Sequence, residues 1–340
     1  RQLEDPDARI IITTIQKLSL FIQANPQHPV YAQHVVIIFD ECHRSQFGDM
    51  HTLITHAFKR YNLFGFTGTP IFSANAGAGG NPQLKTTEQA FGDKLHTYTI
   101  VDAIRDKNVL PFRIDYVNSV QVGTVRDAQV SAIDTEKALL DNRRLYQIVK
   151  YILEHFDQKT RRASSYQHAL VTNVADVVQS RHAGQGAVAE IKQTQRAHGF
   201  NALFATASIQ AAKRYYIQFQ HQQSDLLPDR KLKVGLIYSY APNEQSQEGI
   251  LDEEDFDPNA LHGDDRDFLE DVIKDYNEMF GTSYDTSADK FQNYYKDLSL
   301  RLKNRQIDLV IVVNMFLTGF DATTLNTLFV DKNLRMHGLL

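Results

Sequence analysis

Two adjacent carboxylates and a histidine follow an apolar run early in the chain. Residues 35–39 read VVIIF, and Asp40, Glu41, Cys42 and His43 come next. An Asp at the carboxyl end of a buried parallel strand can bind Mg²⁺, which prefers hard oxygen ligands and phosphate. A neighbouring Glu can orient or deprotonate a water aimed at a γ-phosphate, and His43 can hydrogen-bond across a cleft. The pattern predicts phosphoryl-group hydrolysis; its structural alternative is an Asp40 that caps the next helix.

Two further loops carry small or acidic residues directly after apolar runs. Thr67-Gly68-Thr69-Pro70 can hydrogen-bond to an acidic cluster on an adjacent strand. In Thr318-Gly319-Phe320-Asp321, the glycine lets the backbone approach a phosphate, and Asp321 can accept a ribose hydroxyl. Each loop alone is an ordinary turn. Because each loop directly follows a predicted strand, we expect both loops to act together with Asp40 and Glu41 in nucleotide hydrolysis.

Several classes of protein are excluded by composition. The sequence contains no Gly-Lys dipeptide and therefore no phosphate-cradling Gly-x-x-x-x-Gly-Lys-Ser/Thr loop. Its one cysteine excludes an intrachain disulfide and a multi-cysteine zinc site, and it is typical of the reducing cytoplasm. No apolar run approaches the roughly 20 residues that cross a bilayer. We expect a cytoplasmic protein with no membrane partner.

The elements that must position these residues alternate between apolar runs and amphipathic helices. Ser208 is expected to cap a helix that continues through Tyr216. This alternation predicts an α/β fold with mainly parallel sheets flanked by helices. The predicted strands are residues 10–15, 35–39, 61–66, 201–206, 233–238, 307–313 and 325–330, and the clearest helices are 50–58, 145–156 and 291–302.

The charge is distributed unevenly. The net charge is -5, but residues 251–290 hold 14 Asp and Glu against 3 Lys and Arg. An acidic insert at about 243–290 therefore interrupts a chain that is otherwise mildly basic. The insert is either held away from a surface that binds nucleic-acid phosphates, or it is a solvated surface excursion without a function in binding. The candidate phosphate contacts, each with a solvated helix face as the alternative, are Arg143-Arg144, Arg161-Arg162, Lys213-Arg214, Arg301, Lys303 and Arg305.

Three stretches carry a resemblance to a known family. Residues 39–48 (FDECHRSQFG), 64–72 (FGFTGTPIF) and 316–338 (FLTGFDATTLNTLFVDKNLRMHG) resemble, in this order, a superfamily 2 helicase or translocase. More specifically, they resemble the motor part of the restriction (R) subunit of type I restriction–modification enzymes. The resemblance implies two RecA-like domains that bind ATP between them and double-stranded DNA across their face. Such motors pull DNA past a methyltransferase complex, and cutting follows when translocation stalls.

The resemblance also implies roles, with ATP and Mg²⁺ as cofactors. Asp40 would bind Mg²⁺ and Glu41 would activate water. The partners would be double-stranded DNA and the methyltransferase and specificity subunits. The remaining matched positions are His43, Thr67, Gly68 and Thr69 for coupling hydrolysis to domain motion, Thr318, Gly319 and Asp321 for sensing nucleotide and DNA, and Thr13, Thr14 and Ser208 for contacting DNA.

The domain organisation follows from the same resemblance. Residues 1–118 would be the C-terminal part of a first RecA-like domain, incomplete at its N-terminal side; 119–140 a linker; and 141–340 a second domain containing the insert. The family's phosphate loop and nuclease domain are expected before Arg1, and its arginine motif just after Leu340. We therefore expect the 340-residue chain alone to hydrolyse no ATP.

Three alternatives remain open at this point. The chain can belong to another superfamily 2 nucleic-acid-dependent ATPase, including an RNA remodeller; stimulation by duplex DNA rather than RNA distinguishes the two. It can be a metal-dependent hydrolase that uses Asp40, His43 and other histidines, which tightly bound zinc would support. It can also be a docking module without activity.

Overall fold

The computed structural model describes residues 3, 5, 8–42, 49–72, 86–117, 140–180, 188–238, 263–313, 315–316 and 320–332. The described residues divide into two compact units, one up to Ile114 and one from Asp115 onwards. Both units are α/β, with parallel strands flanked by helices, as the sequence predicts. The domain boundaries at 118 and 140 stay predictions. None of the helices in the described part has the length and apolar character needed to span a bilayer.

The first unit is built around two parallel strands. Phe39 lies opposite Gly65 at their carboxyl ends. Buried side chains of the first strand, the first two helices and the connecting turns form its core, which includes Ile22, Ile54 and Phe58, and partly buried side chains of the second strand pack against it. The elements are α1 (Ile15–Ala24), a 3-10 turn (Pro29–Ala32), β1 (His34–Phe39), α2 (Asp49–Ala57), β2 (Arg60–Gly65), α3 (Thr87–Phe91) and α4 (Ile100–Arg105).

The strand predicted at residues 10–15 is wrong. Residues 8–14 form no ladder with another described strand, and Ile10 and Ile12 are 86% and 91% exposed. The Thr14 side chain instead accepts the backbone N–H of Lys17 and begins α1 at Ile15. A β-branched run becomes a strand only where a ladder partner exists, whereas an N-cap hydroxyl acts locally.

The second unit has a four-stranded parallel sheet in the order β6-β7-β5-β8. Every residue of β5, β6 and β7 is buried. Buried side chains of α5, α7, α8 and α9 form one core with this sheet. The elements are α5 (Asn142–Lys159), β3 (Ser165–Val171), α6 (Val174–Ser180), β4 (Lys192–His198), β5 (Asn201–Thr206), α7 (Ile209–Gln222), a 3-10 turn (Pro228–Arg230), β6 (Val234–Tyr238), α8 (Gly263–Phe280), α9 (Ala288–Lys303), β7 (Leu309–Val313) and β8 (Leu325–Asp331).

Two parts of the second unit differ from the sequence prediction. Residues 157–200, which the sequence leaves unassigned, contain α6 and the antiparallel pair β3–β4. Within the predicted acidic insert, α8 buries Leu269, Val272, Ile273 and Tyr276 in the main core. That half of the insert is therefore part of the folded core rather than a solvated surface excursion. Its apolar residues recur with helical spacing and form one face of α8, while its acidic residues occupy the other face. Residues 239–262 lie outside the described residues.

Candidate functional site

The acidic pair lies where the first unit's parallel strands end. Asp40 and Glu41 directly follow β1, and both side chains are exposed. Glu41 has a positive φ of 47°, an uncommon backbone conformation for a residue with a side chain. Its N–H donates to Oδ1 of Asp40 at 3.0 Å, which fixes one carboxylate oxygen. The chain turns sharply here and presents two carboxylates to solvent beyond the sheet.

Two backbone hydrogen bonds fasten this turn to the second strand. The N–H of Phe66 donates to the carbonyl of Phe39 at 2.8 Å, and the N–H of Cys42 donates to the carbonyl of Phe66 at 2.9 Å. Phe66 directly precedes Thr67. The structure therefore brings the acidic pair and the Thr67-Gly68-Thr69 loop to the same edge of the sheet.

The Thr67–Thr69 loop is held by its own hydroxyl and by α3. Thr67 Oγ1 accepts the N–H of Thr69 at 3.0 Å. Two residues on, the N–H of Ile71 donates to Thr87 Oγ1 at 2.8 Å, and the N–H of Thr87 returns to the Ile71 carbonyl at 2.9 Å. Within the described part of the chain, the buried Thr69 Oγ1 makes no hydrogen bond. One polar oxygen at this edge thus remains available for a group that the described residues do not supply.

Cys42 anchors the turn from below. Its side chain is completely buried, and burial raises the pKa of the thiol to about 11, with Glu41 and Asp40 adding to the rise. The thiol is therefore protonated at neutral pH and is a poor nucleophile there. A Cβ on Gly65 would come within 2.8 Å of Cys42 Sγ and 2.9 Å of the Phe91 ring. Glycine at 65 is what permits this close packing.

Sequence reasoning missed the aromatic support under the site. His51 of α2 is 3% exposed, and its ring centroid lies 5.4 Å from that of Phe39 and 5.6 Å from that of Phe91. Its two ring nitrogens are without hydrogen-bond partners in the described residues, and burial lowers the pKa of His51. An isolated glycine in the strand pattern YNLFGF was the available signal, since such a glycine often marks close backbone approach.

The predicted DNA-contacting residues are used locally. Thr13 Oγ1 donates to the carbonyl of Thr14 at 3.3 Å, while Thr14 caps α1. In the second unit, Ser208 caps α7 by accepting the N–H of Ala211 at 3.2 Å, as the sequence predicts. The structure shows these caps; the proposed contacts with DNA stay predictions.

The remaining sensing and coupling residues are partly described. Asp321 is exposed, and the ring of the preceding Phe320 packs 4.4 Å from that of Phe316. His43, Thr318 and Gly319 lie outside the described residues. Their predicted roles therefore stay predictions.

Several basic candidates are engaged within the second unit. Arg144 pairs with Asp331 at the end of β8, and Lys213 pairs with Asp265 at 2.8 Å. Similar ion pairs hold Arg301 to Asp297 at 2.6 Å and Arg305 to Asp308 at 2.8 Å. These side chains hold the fold together, and a solvated helix face is the wrong description of them.

The donors at the first unit's edge suit a hard cation. Asp40 and Glu41 offer exposed carboxylate oxygens, the ligand type that Mg²⁺ prefers together with water and phosphate. No cluster of three or more His, Cys, Asp or Glu with the geometry of a metal site occurs among the described residues. The donor set thus fits a cation shared with a phosphate ligand better than a closed protein cage.

Two family models match consecutive parts of the chain. The SWI2/SNF2 ATPase model matches residues 1–145, which include the acidic turn and the Thr67–Thr69 loop. The model of type I restriction enzyme subunit R domain 3 matches residues 198–340.

Curated relatives match the chain from end to end. Type I restriction enzyme endonuclease subunits of Staphylococcus aureus strain COL and Staphylococcus saprophyticus are 37% and 38% identical to it, over 349 and 347 residues. Each alignment covers 100% of this chain and 32% of the relative. The subunit of the Haemophilus influenzae enzyme HindI is 23% identical over 97% of the chain and 27% of its own length. The chain thus spans about a third of the length of the two Staphylococcus subunits, and over its whole length it is similar to type I restriction enzyme endonuclease subunits.

Proposed function

We propose that this chain is the ATPase motor part of an R subunit that translocates double-stranded DNA. In this proposal both units are RecA-like, and the first takes its phosphate loop, which the 340 residues lack, from elsewhere in a longer protein. The observation that carries the proposal is the exposed Asp40–Glu41 turn, fastened by backbone hydrogen bonds beside the Thr67–Thr69 loop. Ligands of open α/β sheets bind at such carboxyl-terminal edges.

Each carboxylate has a distinct role in the proposed reaction. Asp40, whose Oδ1 is held by the Glu41 N–H, would bind Mg²⁺, which neutralises charge on the phosphates when present. Glu41 would orient the attacking water and accept its proton. The positive φ of Glu41 gives it a different backbone conformation from Asp40, which would let the two adjacent carboxylates serve different atoms.

The Thr67–Thr69 loop would sense the state of the acidic turn. The Phe39–Phe66 and Cys42–Phe66 hydrogen bonds connect the acidic turn to the residue that precedes Thr67. A shift of the acidic turn would therefore move the Thr67–Thr69 loop. The unpaired Thr69 Oγ1 gives this loop a donor that can change partner during the cycle. His43 would take part in this coupling. The residues that would sense nucleotide and DNA are Thr318, Gly319 and Asp321, and those that would contact DNA are Thr13, Thr14 and Ser208.

The proposed partners follow from the family. Duplex DNA would be held mainly through its phosphates, so binding would be independent of sequence and sensitive to salt. Methyltransferase and specificity subunits would hold the motor in place while DNA moves. Cleavage would belong to a nuclease domain elsewhere in the R subunit.

The proposed role of Asp40 is tested by Asp40→Asn in the intact protein. We expect DNA-stimulated ATP hydrolysis to fall at least about a hundredfold, because the amide no longer supplies the charge that holds Mg²⁺. Phosphate release across a Mg²⁺ titration is the measurement. Asp93→Asn removes another exposed carboxylate of the first unit and serves as the control. Wild-type turnover in Asp40→Asn would refute the assignment.

A further inference from the structure

The second unit contains a cavity at the amino-terminal edge of its sheet. The cavity measures about 610 Å³. Lys233 and Asp308 line it and directly precede β6 and β7, where the N–H of Asp308 donates to the Lys233 carbonyl at 3.0 Å. A five-residue strand spans about 16 Å, so this amino-terminal edge is well separated from Ser208, which follows the carboxyl end of β5.

The lining of this cavity is strongly basic. Five cationic side chains line it, against the single carboxylate of Asp308. The cations come from four places in the fold: the turn after α5, strand β4, the start of β6 and the end of α9. They are Arg162, Arg196, Lys233, Arg301 and Arg305.

Neighbouring groups fix three of these cations in place. Arg305 is 9% exposed and donates to Asp308 at 2.8 Å and to the Gly199 carbonyl at 3.2 Å. The guanidinium of Arg301 lies 4.3 Å from the Phe280 ring centroid, and the Lys233 ammonium lies 5.5 Å from the same ring. The cavity wall is therefore organised before any ligand enters.

Two of the cations are available to a ligand. Arg196 and Lys233 are exposed, and neither forms an ion pair with a described residue. Arg196 Nε donates to Ser165 Oγ at 2.8 Å, which orients its guanidinium without neutralising it. The partial negative charge at the C-terminal end of α9 explains why a cation such as Arg301 occurs there. It does not explain Arg196 and Lys233, which lie on or beside strands.

We propose that this cavity binds a compact anion that carries two or more phosphate groups. Guanidinium forks and an ammonium match phosphate oxygens, and several cations against one carboxylate favour a ligand with more than one negative charge. The volume lies within the range of small-molecule sites, and the cations converge on one open cleft from four elements rather than following one extended face. The ligand is either free pyrophosphate or the phosphate tail of a nucleotide.

The test is calorimetric titration of the protein with inorganic pyrophosphate, with ADP and with a short DNA duplex, each in a separate experiment. EDTA is present so that no metal-dependent site contributes. Lys233→Glu and Arg196→Glu should each weaken binding at least about tenfold, since hydrogen bonds to charged groups are the strong ones. Lys150→Glu makes the same charge change on α5 outside the cavity and should change binding less than about twofold. Unchanged thermal unfolding midpoints show that the variants fold.

The outcomes separate clearly. If both ligands lose affinity in Lys233→Glu and Arg196→Glu, and ADP binds the wild-type protein more tightly than pyrophosphate, the proposal is supported and the ligand is a nucleotide. If only pyrophosphate binds and shows this loss, the proposal is supported and the ligand is the free anion. Asp40→Asn should leave either pattern intact, so failure of the proposed motor function is distinguishable. The proposal is overturned if neither anion binds the wild-type protein, or if Lys233→Glu and Arg196→Glu bind as it does. It is equally overturned if only a short DNA duplex shows the variant-dependent loss.

Discussion

The two units use similar apolar strands in different surroundings. In β7 of the second unit, all five residues are buried. In β1 of the first unit burial alternates, with Val36 and Ile38 58% and 63% exposed. The apolar run at residues 35–39 predicts a strand buried on both faces, and for β1 that prediction is wrong. An apolar run therefore predicts a strand, whereas the burial of its faces depends on which elements pack against them.

The difference bears on how each unit holds its functional loops. In the second unit, four helices and the sheet share one core, so the strand ends are fixed by packing. In the first unit, the acidic turn depends on a small core and on a few named contacts at Cys42, Gly65 and Phe91. The effect of a single substitution on stability should therefore depend on how deeply the residue is buried in the second unit, and on the local contacts around the acidic turn in the first.

The largest expected difference is between matched truncations of the two sheets. Ile311→Ala removes a completely buried side chain of β7 and should lower the free energy of unfolding by about 2–5 kcal/mol. Ile38→Ala removes an exposed side chain of β1 and should cost less than about 1 kcal/mol. Chemical denaturation with hydrogen exchange assigned to each unit measures both. Equal losses would mean that the exposed face of β1 is covered in solution.

A smaller effect is expected at the packing point beneath the acidic turn. Gly65→Ala places a Cβ 2.8 Å from Cys42 Sγ and should destabilise the first unit by about 1–3 kcal/mol, because the core there must shift. Gly68→Ala, three residues away, meets nothing within 4 Å and is the matched control. Thermal unfolding distinguishes the pair. A Gly65→Ala variant as stable as Gly68→Ala would show that Cys42 does not support the turn as described.

The smallest effect is a pH dependence confined to the first unit. Burial lowers the pKa of His51 below its ordinary value of 6.5, so below that pH the unfolded chain binds a proton that the folded unit excludes. The contribution of neutral His51 is complete above pH 6.5 and is lost as the pH falls towards its folded pKa. The slope cannot exceed about 1.4 kcal/mol per pH unit for one proton.

The measurement for His51 is denaturant unfolding of the first unit between neutral and mildly acidic pH, followed by hydrogen exchange. His51→Phe keeps the aromatic packing against Phe39 and Phe91 and should flatten the slope. An unchanged slope in this variant would assign the pH dependence to another group.

Much of the fold follows from the sequence because its signals are local. The runs before Asp40, Thr67 and Ser208 are strands as predicted, and Ser208 caps its helix because a hydroxyl at that position needs only its own backbone. The failure at residues 10–15 came from a strand signal that requires a ladder partner. The burial of α8 within an acidic stretch was missed because net charge conceals a helical apolar stripe.

The candidate site was predictable in its residue types but not in its support. Adjacent carboxylates after a strand and a Thr-Gly-Thr loop after the next strand locate one edge of a parallel sheet. The positive φ of Glu41, the two backbone bonds to Phe66 and the burial of His51 depend on tertiary contacts that no spacing encodes. The basic cavity was predicted only in part: Arg162, Arg301 and Arg305 are among the candidate phosphate contacts, whereas Arg196 and Lys233 lie far from them in sequence and were missed.

The most direct test of the central claim is ATP hydrolysis by Glu41→Gln in the intact protein, with and without duplex DNA. The amide keeps the size of the side chain but cannot accept a proton, so we expect DNA-stimulated hydrolysis to fall at least about a hundredfold while ATP binding is retained. Glu88→Gln makes the same change on α3 and should hydrolyse ATP normally. Wild-type hydrolysis by Glu41→Gln would contradict the account.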